Sequence, residues 1–309
     1  MNYTVYRLIF DTAVHFGRKT LESAEYTFSA DTLFSALCHE ALKRGKETFD
    51  ELLEGAKEGK MLFSDAFPYV GETDTYFLPK PMKRIEAEIE QGNSVVKKAY
   101  KKLKYIPAES LEKYLAGRYD VMKENGIDKL GHFDMKTSAS IRGEDKTTPY
   151  RVGLYYFNKG NGLYIIFGYC ADKDKELIDG LMDALSYSGL GGERSSGLGR
   201  FTPYEKKLPS KLAERMETAG EQYMTLSAAL PRDDELEKAV TDSQYLLIKR
   251  SGFIASDTYA SQQMRKRDLY VFKSGSCFSS RFEGDVYDVS CGAGSHSVYR
   301  YAKPMFIAI

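Results

Sequence analysis

The chain lacks the features that mark membrane, secreted and metal-binding proteins. No apolar run in its 309 residues approaches the length of about 18 that a membrane-spanning helix needs. The N-terminus has no basic region followed by a long apolar stretch, so we expect no signal peptide. The four cysteines, Cys38, Cys170, Cys277 and Cys291, lie far apart without a C-x-x-C pair, which argues against a zinc ribbon or a disulfide framework. We therefore expect a cytoplasmic protein with no membrane association, metal or cofactor.

The chain also lacks an excess of charge of either sign. Its 44 basic and 44 acidic residues give a net charge of zero, which argues against a protein that coats nucleic acid without specificity. Two stretches are nevertheless basic, one from Lys80 to Lys104 and one that starts at Lys249 and Arg250 and ends at Arg281. Such runs are usually solvated faces, but together these two favour a track of positive charge.

One segment, Ser188 to Phe201, is unusually rich in glycine and reads S-G-L-G-G-E-R-S-S-G-L-G-R-F. Glycine is kept where the backbone needs a positive φ or a close approach, and successive free N–H groups can cradle an anion. We interpret the segment as a grip on a phosphate backbone; the alternative is a flexible hairpin or a helix stop. The residues that would supply N–H groups, positive charge and hydroxyls are Gly189, Gly191, Gly192, Arg194, Ser195, Ser196, Gly197, Gly199 and Arg200.

The neighbours of this segment argue against the common nucleotide-binding loops. Apolar residues at helical spacing predict a helix over 173–187, ended by Gly189, and a strand is predicted to begin near Gly199. Rossmann loops and P-loops instead place their glycines after a strand and before a helix, and a P-loop ends in Gly-Lys-Ser/Thr, which is absent here. Binding of a nucleotide by either of these loops is therefore not expected.

Several motifs together resemble one family. They are V-H-F-G at Val14–Gly17, S-A-D-T-L-F-S-A-L at Ser29–Leu37, L-F-S-D-A-F-P at Leu62–Pro68, L-P-K-P at Leu78–Pro81, the glycine-rich segment, and V-Y-R-Y at Val298–Tyr301. The glycine-rich segment alone resembles the RAMP superfamily of CRISPR proteins. The combination resembles the fourth subunit of the Csm complex, the type III-A effector that targets RNA. The resemblance covers most of the chain and is weakest over about 83–145.

The resemblance and the order of predicted elements imply an α+β fold with two ferredoxin-like (RRM-like) domains. The first spans 1–206, contains the glycine-rich loop at 188–200, and carries a long, thumb-like insertion at about 83–148; the second, degenerate domain spans 207–309. Within the first domain we predict a central strand over 3–10, a helix capped by Asp31, and a hairpin of strands 150–157 and 162–169.

The resemblance implies a non-catalytic RNA-binding subunit. It would hold the 5′ tag of the guide RNA, dock to the large polymerase-like subunit and to a backbone RAMP subunit, and use the glycine-rich loop together with His15, Arg18, Lys19, Arg142 and Arg250. The alternative is a metal-independent endoribonuclease, because RAMP ribonucleases often place a general-base histidine near the position of His15, with Arg18 or Lys19 as its partner. The carboxylates of Asp31, Asp65 and Asp134 are isolated in the sequence and suggest no metal site.

Overall fold

The structure is a computed structural model, and it describes residues 1–18, 20–85, 94–141, 147–256, 258–292 and 294–309. Its α-helices are α1 Ala30–Arg44, α2 Lys46–Lys57, α3 Ser94–Lys102, α4 Leu111–Leu115, α5 Asp172–Ser188, α6 Ser210–Glu217 and α7 Leu236–Val240. The fold is mixed α and β, as predicted.

The strands in the first two thirds of the chain are β1 Asn2–Phe10, β2 Phe16–Arg18, β3 Thr20–Glu25, β4 Met61–Phe63, β5 Phe67–Val70, β6 Thr75–Pro79, β7 Tyr105–Pro107, β8 Gly131–Ile141, β9 Thr147–Phe157, β10 Gly162–Tyr169 and β11 Phe201–Lys207. The remaining strands are β12 Tyr223–Thr225, β13 Leu247–Arg250, β14 Leu269–Phe272, β15 Cys277–Phe278, β16 Val286–Asp288, β17 Tyr299–Tyr301 and β18 Phe306–Ala308.

The main sheet has the strand order β11-β1-β10-β5-β6-β7, and β4 also pairs with β10. Strand β1 is central, as predicted, because it lies antiparallel between β10 and β11. Its apolar residues are buried on both faces of the sheet, because Leu8 belongs to one buried cluster and Val5 to another. Along the chain, the strands of this sheet and the helices α1, α2 and α5 follow the order β1, α1, α2, β4, β5, β6, β7, β10, α5, β11. The predicted order of strand, helix, two strands, helix and strand is therefore interrupted by a second helix and by β6 and β7.

The predicted hairpin of strands 150–157 and 162–169 is wrong. Strand β9 pairs with β8 from Thr147↔Ile141 to Phe157↔Gly131, whereas β10 pairs with β1, β4 and β5. Seven of the eight residues of β10 are buried, so this strand needs a neighbour on each edge, and the largely exposed ribbon of β8 and β9 supplies neither. Strands β4 and β5 therefore take the place beside β10 that was predicted for the strand 150–157.

Two large apolar clusters lie on the two faces of this sheet. The first packs α1, α2 and α5 on the sheet through side chains such as Leu37, Leu52 and Leu181. The second brings α6 and the strands β12 and β18 onto the opposite face, together with β7 and α4 from the predicted insertion. The insertion is thus partly core, which its high lysine and glutamate content did not suggest; its residues 86–93 and 142–146 lie outside the described part.

The last third of the chain forms several small sheets. Strands β15, β12 and β18 make a three-stranded sheet, while β13 pairs with β14 and β16 pairs with β17. A degenerate second ferredoxin-like domain over 207–309, and the boundary at 206, stay predictions.

The first turn of α1 is joined to the last third of the chain by salt bridges between side chains. Ser29, not Asp31 as predicted, precedes the helix as its N-cap residue. The buried carboxylate of Asp31 instead accepts hydrogen bonds from Arg250, at 3.0 Å from Nε and 2.6 Å from Nη2, and from Nη1 of Arg300. Burial alone would raise the pKa of Asp31, but the two guanidinium groups outweigh burial and hold the pKa below its ordinary value.

A second buried carboxylate links the same elements through the backbone. Oδ1 of Asp65 accepts the N–H of Ala30 at 2.8 Å and the N–H of Ala228 at 3.0 Å. No cation compensates its burial to the same degree, and the pKa of Asp65 is raised to about 6, chiefly by desolvation. At neutral pH the negative charge of Asp31 therefore stabilises the fold, whereas the negative charge of Asp65 destabilises it.

We expect Asp31→Asn to lower the free energy of unfolding at pH 7 by about 3–5 kcal/mol, because two guanidinium groups lose their counter-ion. Since the folded pKa of Asp31 is depressed, its contribution is present above its unfolded pKa and is lost as the pH falls through the folded value. Asp65 has the opposite sign, so its charge costs stability above about pH 6 and the cost is relieved on acidification towards pH 4.

Urea unfolding of the wild type, Asp31→Asn, Asp65→Asn and the exposed control Asp134→Asn, each followed from pH 7 to pH 4, measures both effects. The Asp65→Asn protein should show no rise in stability between pH 6 and pH 4. The Asp134→Asn and Asp31→Asn proteins should keep that rise, because both retain Asp65. An Asp31→Asn protein as stable at pH 7 as Asp134→Asn would contradict the role of the ion cluster.

Candidate nucleic-acid interface

The glycine-rich loop, residues 188–200, is tied to the segment that follows β1. The N–H of Leu190 donates to the carbonyl of Gly199 at 2.9 Å, which closes the base of the loop. The N–H of Gly199 donates to Ala13 and that of Gly192 to His15, both at 2.9 Å. The loop is therefore an anchored turn, and the alternative of a flexible hairpin does not describe it.

The glycines are required by positive φ and by close backbone approach. Gly189, Gly191, Gly197 and Gly199 have φ of +78°, +97°, +82° and +76°. A Cβ on Gly191 would lie 2.6 Å from the carbonyl oxygen of His15, and a Cβ on Gly199 would overlap the carbonyl of Leu190. Gly197 differs, because the space around it is open.

The predicted nest of successive free N–H groups is not formed. Gly189, Gly192, Gly197 and Gly199 each donate the N–H to a carbonyl of the protein, on Leu185, His15, Arg194 and Ala13 respectively. What the loop offers to solvent is a short 3₁₀ turn at Arg194–Ser196, followed by Arg200. The side chains of Arg194, Ser195, Ser196 and Arg200 are all exposed, so this turn presents polar side chains to solvent in place of the predicted N–H groups.

His15 lies beneath the loop. Its side chain is buried, and Nδ1 lies 2.7 Å from the carbonyl oxygen of Gly153 in β9. The edge of the imidazole packs against Gly192 so closely that a Cβ there would be 2.8 Å from Cδ2. The arrangement makes His15 a support that joins the loop to β9. The alternative role as a general base would require this buried ring to reach a 2′-hydroxyl.

The other predicted contact residues are placed less favourably. Arg18 lies in β2, close in sequence to His15, while Lys19 and Arg142 lie outside the described residues. Arg250 lies in β13, and its guanidinium is bonded to Asp31 and to the hydroxyl of Thr32 at 3.2 Å. The geometry therefore gives Arg250 a structural role, and its contact with RNA stays a prediction.

Sequence reasoning did not predict that charges from the loop and from the last third of the chain act on His39. The pKa of His39, in α1, is lowered by burial and then by the charges of Arg194, Lys266 and Lys43, against an opposing effect of Glu40. Charges from the loop, from the last third of the chain and from α1 itself thus act on one half-buried imidazole. Lys266 stood out in the sequence only as part of a basic run, which does not reveal what it faces.

Within the described ranges, no group of three or more His, Cys, Asp or Glu side chains is arranged to hold a metal ion. Among the same residues, no helix combines the length and the apolar character needed to cross a membrane.

Comparison with known proteins decides the family. Over 315 residues the chain is 41% identical to the CRISPR system Cms protein Csm4 of Mycobacterium tuberculosis (strain CDC 1551 / Oshkosh), with 100% of this chain and 98% of the relative covered. The chain belongs to the Csm4 family. The Csm4 protein of Streptococcus thermophilus is 38% identical over 316 residues, covering 100% and 99% of the two chains. The protein-family model described as the CRISPR Csm4 C-terminal domain matches residues 218–309 of this chain. The family predicted from the motifs is confirmed.

Solved structures support the Csm4 fold. A chain in the crystal structure of a Csm3–Csm4 subcomplex of the type III-A CRISPR-Cas interference complex aligns with a TM-score of 0.68 at 19% identity, covering 100% of this chain and 99% of that one. A chain in a Csm1–Csm4 cassette in complex with cA4 aligns with a TM-score of 0.63 at 20% identity, covering 99% and 97%. The fold is therefore similar to Csm4 over the whole chain.

The geometry of the loop predicts unequal effects of single methyl groups. Gly199→Ala and Gly191→Ala should lower the thermal unfolding midpoint strongly, because each adds a clash to a positive φ. Gly197→Ala should cost only about 1–2 kcal/mol, because it meets strain but no neighbour. Thermal unfolding by circular dichroism measures the order. Equal, small shifts for all three variants would show that the loop is not anchored as described.

Proposed function

We propose that the protein is a non-catalytic RNA-binding subunit of a type III-A Csm interference complex. In this function it holds the 5′ tag of the guide RNA and docks the large polymerase-like subunit to the RAMP backbone. Membership of the Csm4 family supports the complex. The observation that carries RNA binding is the anchored loop, which presents Arg194, Ser195, Ser196 and Arg200 to solvent on a base of internal hydrogen bonds.

The chemistry of the turn suits a single-stranded RNA backbone. Arg194 and Arg200 provide planar guanidinium groups that donate several hydrogen bonds to phosphate oxygens. Ser195 and Ser196 add hydroxyls, which can both donate to phosphates and accept from 2′-hydroxyls. Since the backbone below them is already bonded internally, little backbone freedom is lost when RNA binds.

The ribbon of β8 and β9 and helix α3 extend the proposed track. In the proposed architecture of two ferredoxin-like domains, β8 belongs to the thumb-like insertion and β9 follows it. The ribbon carries exposed rings on Phe133, Tyr150 and Tyr156, on which splayed bases can stack. Helix α3 turns several lysines to solvent. They are Lys97, Lys98, Lys101 and Lys102, which would interact with phosphates as charges.

The proposed partners follow from the relatives. Solved chains of similar fold occur in a Csm3–Csm4 subcomplex and in Csm1–Csm4 cassettes. A chain of similar fold, with a TM-score of 0.51, also occurs in a type III-B Cmr-β complex bound to target RNA. We extend these associations to this chain, with one backbone subunit and one large subunit as its neighbours.

The placement of His15 supports a non-catalytic subunit. Metal-free RNA cleavage needs a base at the 2′-hydroxyl and an acid or a positive charge at the leaving oxygen. The imidazole of His15 is 5% exposed and holds Gly153 through Nδ1, so its surroundings are those of a packing residue. We therefore do not propose that the protein is an endoribonuclease.

The test is filter binding of a 5′-labelled RNA that carries the repeat-derived tag, in EDTA, with the same samples run on a denaturing gel. The double variant Arg194→Gln, Arg200→Gln should bind about 10- to 100-fold more weakly, because two charged hydrogen-bond donors are lost. The slope of log K against log salt should become about 1.4 shallower, for two phosphate contacts to single-stranded RNA. The RNA should keep its length with every protein.

Lys238→Gln is the control for loss of surface charge away from the loop, because Lys238 is an exposed lysine on α7 and its replacement removes one positive charge where the double variant removes two. Wild-type affinity and slope are expected for it. If the double variant binds tag RNA as the wild type does, the loop is not the binding site. Cleavage of the RNA by the wild-type protein would reject the non-catalytic assignment.

A further inference from the structure

A cavity of about 400 Å³ lies where four separate segments of the chain meet. Its wall includes Tyr26 after β3, Lys102 at the end of α3, Tyr105 at the start of β7 and Asn125 before the short 3₁₀ turn at Ile127–Lys129. A cavity of this volume is in the range that binds small ligands in proteins. No residue of the glycine-rich loop lines it, so it is a separate feature of the molecule.

Backbone hydrogen bonds hold the walls of this cavity in place. The N–H of Lys80 donates to the carbonyl of Lys104 at 2.9 Å, and the N–H of Ile127 donates to the carbonyl of Asn125 at 2.7 Å. Strand β7, which contains Tyr105, pairs antiparallel with β6. The cavity is therefore formed in the free protein, and little ordering of the backbone is needed for a ligand to bind.

Two partly exposed tyrosine rings form one side of the cavity. The ring centroids of Tyr26 and Tyr105 are 6.0 Å apart, with their planes at 58°. The ring of Tyr26 is also supported by Tyr155, at a centroid distance of 5.2 Å. Aromatic rings fixed in this way are stacking surfaces for nucleobases, because every base has a π face.

Asn125 gives the same wall a polar group that lacks a partner. Its side-chain oxygen Oδ1 is buried and accepts no hydrogen bond. A buried acceptor of this kind destabilises the free protein and calls for an explanation. The terminal torsion of asparagine has a broad energy minimum, so a small rotation can present the amide to a donor on a ligand in the cavity.

The charge around the cavity favours an anionic ligand. No aspartate or glutamate lines it, whereas Lys102 and Lys104 do. The ammonium of Lys104 lies 3.7 Å from Oε2 of Glu25. Lys102 is exposed, and no carboxylate of the described residues lies within 4.0 Å of its ammonium. A phosphate group can therefore take Lys102 as its counter-ion.

We propose that this cavity binds one adenine nucleotide. The base stacks against the ring of Tyr26, and the amide of Asn125 donates to N7 and accepts from the N6 amino group, which is how asparagine reads adenine. The ammonium of Lys102 bonds the phosphate. The proposal goes beyond the proposed function, which gives Tyr26 and Asn125 no role, and it does not depend on the glycine-rich loop.

Ligand-observed NMR titration of the full chain with AMP, GMP, CMP and UMP tests the base preference. AMP should bind about tenfold more tightly than GMP, because guanine carries an acceptor, O6, where adenine carries the N6 donor. The pyrimidine nucleotides should bind more weakly still, because they offer less area for stacking. Equal affinity for all four nucleotides, or no binding of AMP at millimolar concentration, would overturn the proposal.

Two variants separate the contacts to the base from those to the phosphate. Asn125→Asp should weaken AMP binding about tenfold, because a carboxylate cannot donate to N7. Lys102→Gln should weaken binding of AMP and leave that of adenosine unchanged, because adenosine carries no phosphate.

Lys123→Gln is the matched control for these variants. Lys123 is exposed, lies two positions before Asn125 and does not line the cavity, and its replacement removes one charge as Lys102→Gln does. Circular dichroism checks that each variant is folded. If folded Asn125→Asp and Lys102→Gln proteins bind AMP as Lys123→Gln does, the cavity is not the nucleotide site.

Competition with tag RNA identifies the source of the nucleotide. Displacement of AMP by tag RNA would assign the cavity to a nucleotide of the bound RNA, and AMP binding that tag RNA leaves unchanged would assign it to a free nucleotide. Both results support the site. If the wild type binds no tag RNA, the proposed function fails, while the AMP titration still decides whether the cavity binds a nucleotide.

Discussion

The pairing of Asp31 with two arginines is the interaction on which the rest of the structure depends. Asp31 lies in the first turn of α1, whereas Arg250 and Arg300 come from the last third of the chain. Two charges of one sign cannot be buried together without a counter-ion, so this carboxylate allows the C-terminal strands to lie against α1.

In the glycine-rich loop the backbone and the side chains have different roles. Its glycines allow positive φ and close contacts, and their N–H groups are used to attach the loop to Ala13 and His15. The exposed turn at Arg194–Ser196 is left to contact a ligand through charge and hydroxyls. In the proposed function, a polar ligand would therefore meet groups whose backbone is already held in place by internal hydrogen bonds.

Local patterns predicted the local structure well. Strand β1, helix α5 and the helix end at Gly189 follow from alternation, helical spacing and glycine chemistry, each of which acts within a few residues. The partner of β9 could not be predicted, because either of two neighbouring strands satisfies the same alternation. The role of Asp31 depends on contacts with Arg250 and Arg300, each more than 200 positions away, and no local spacing encodes them.

The central claim is that guide RNA is held at the exposed turn of the glycine-rich loop. The direct test is photo-crosslinking of the intact complex carrying 4-thiouridine in the tag of the guide RNA, followed by mass spectrometry of the crosslinked peptides. The account predicts crosslinks within 194–200 of this chain. Crosslinks confined to α3 and the β8–β9 ribbon, or to other subunits, would contradict it.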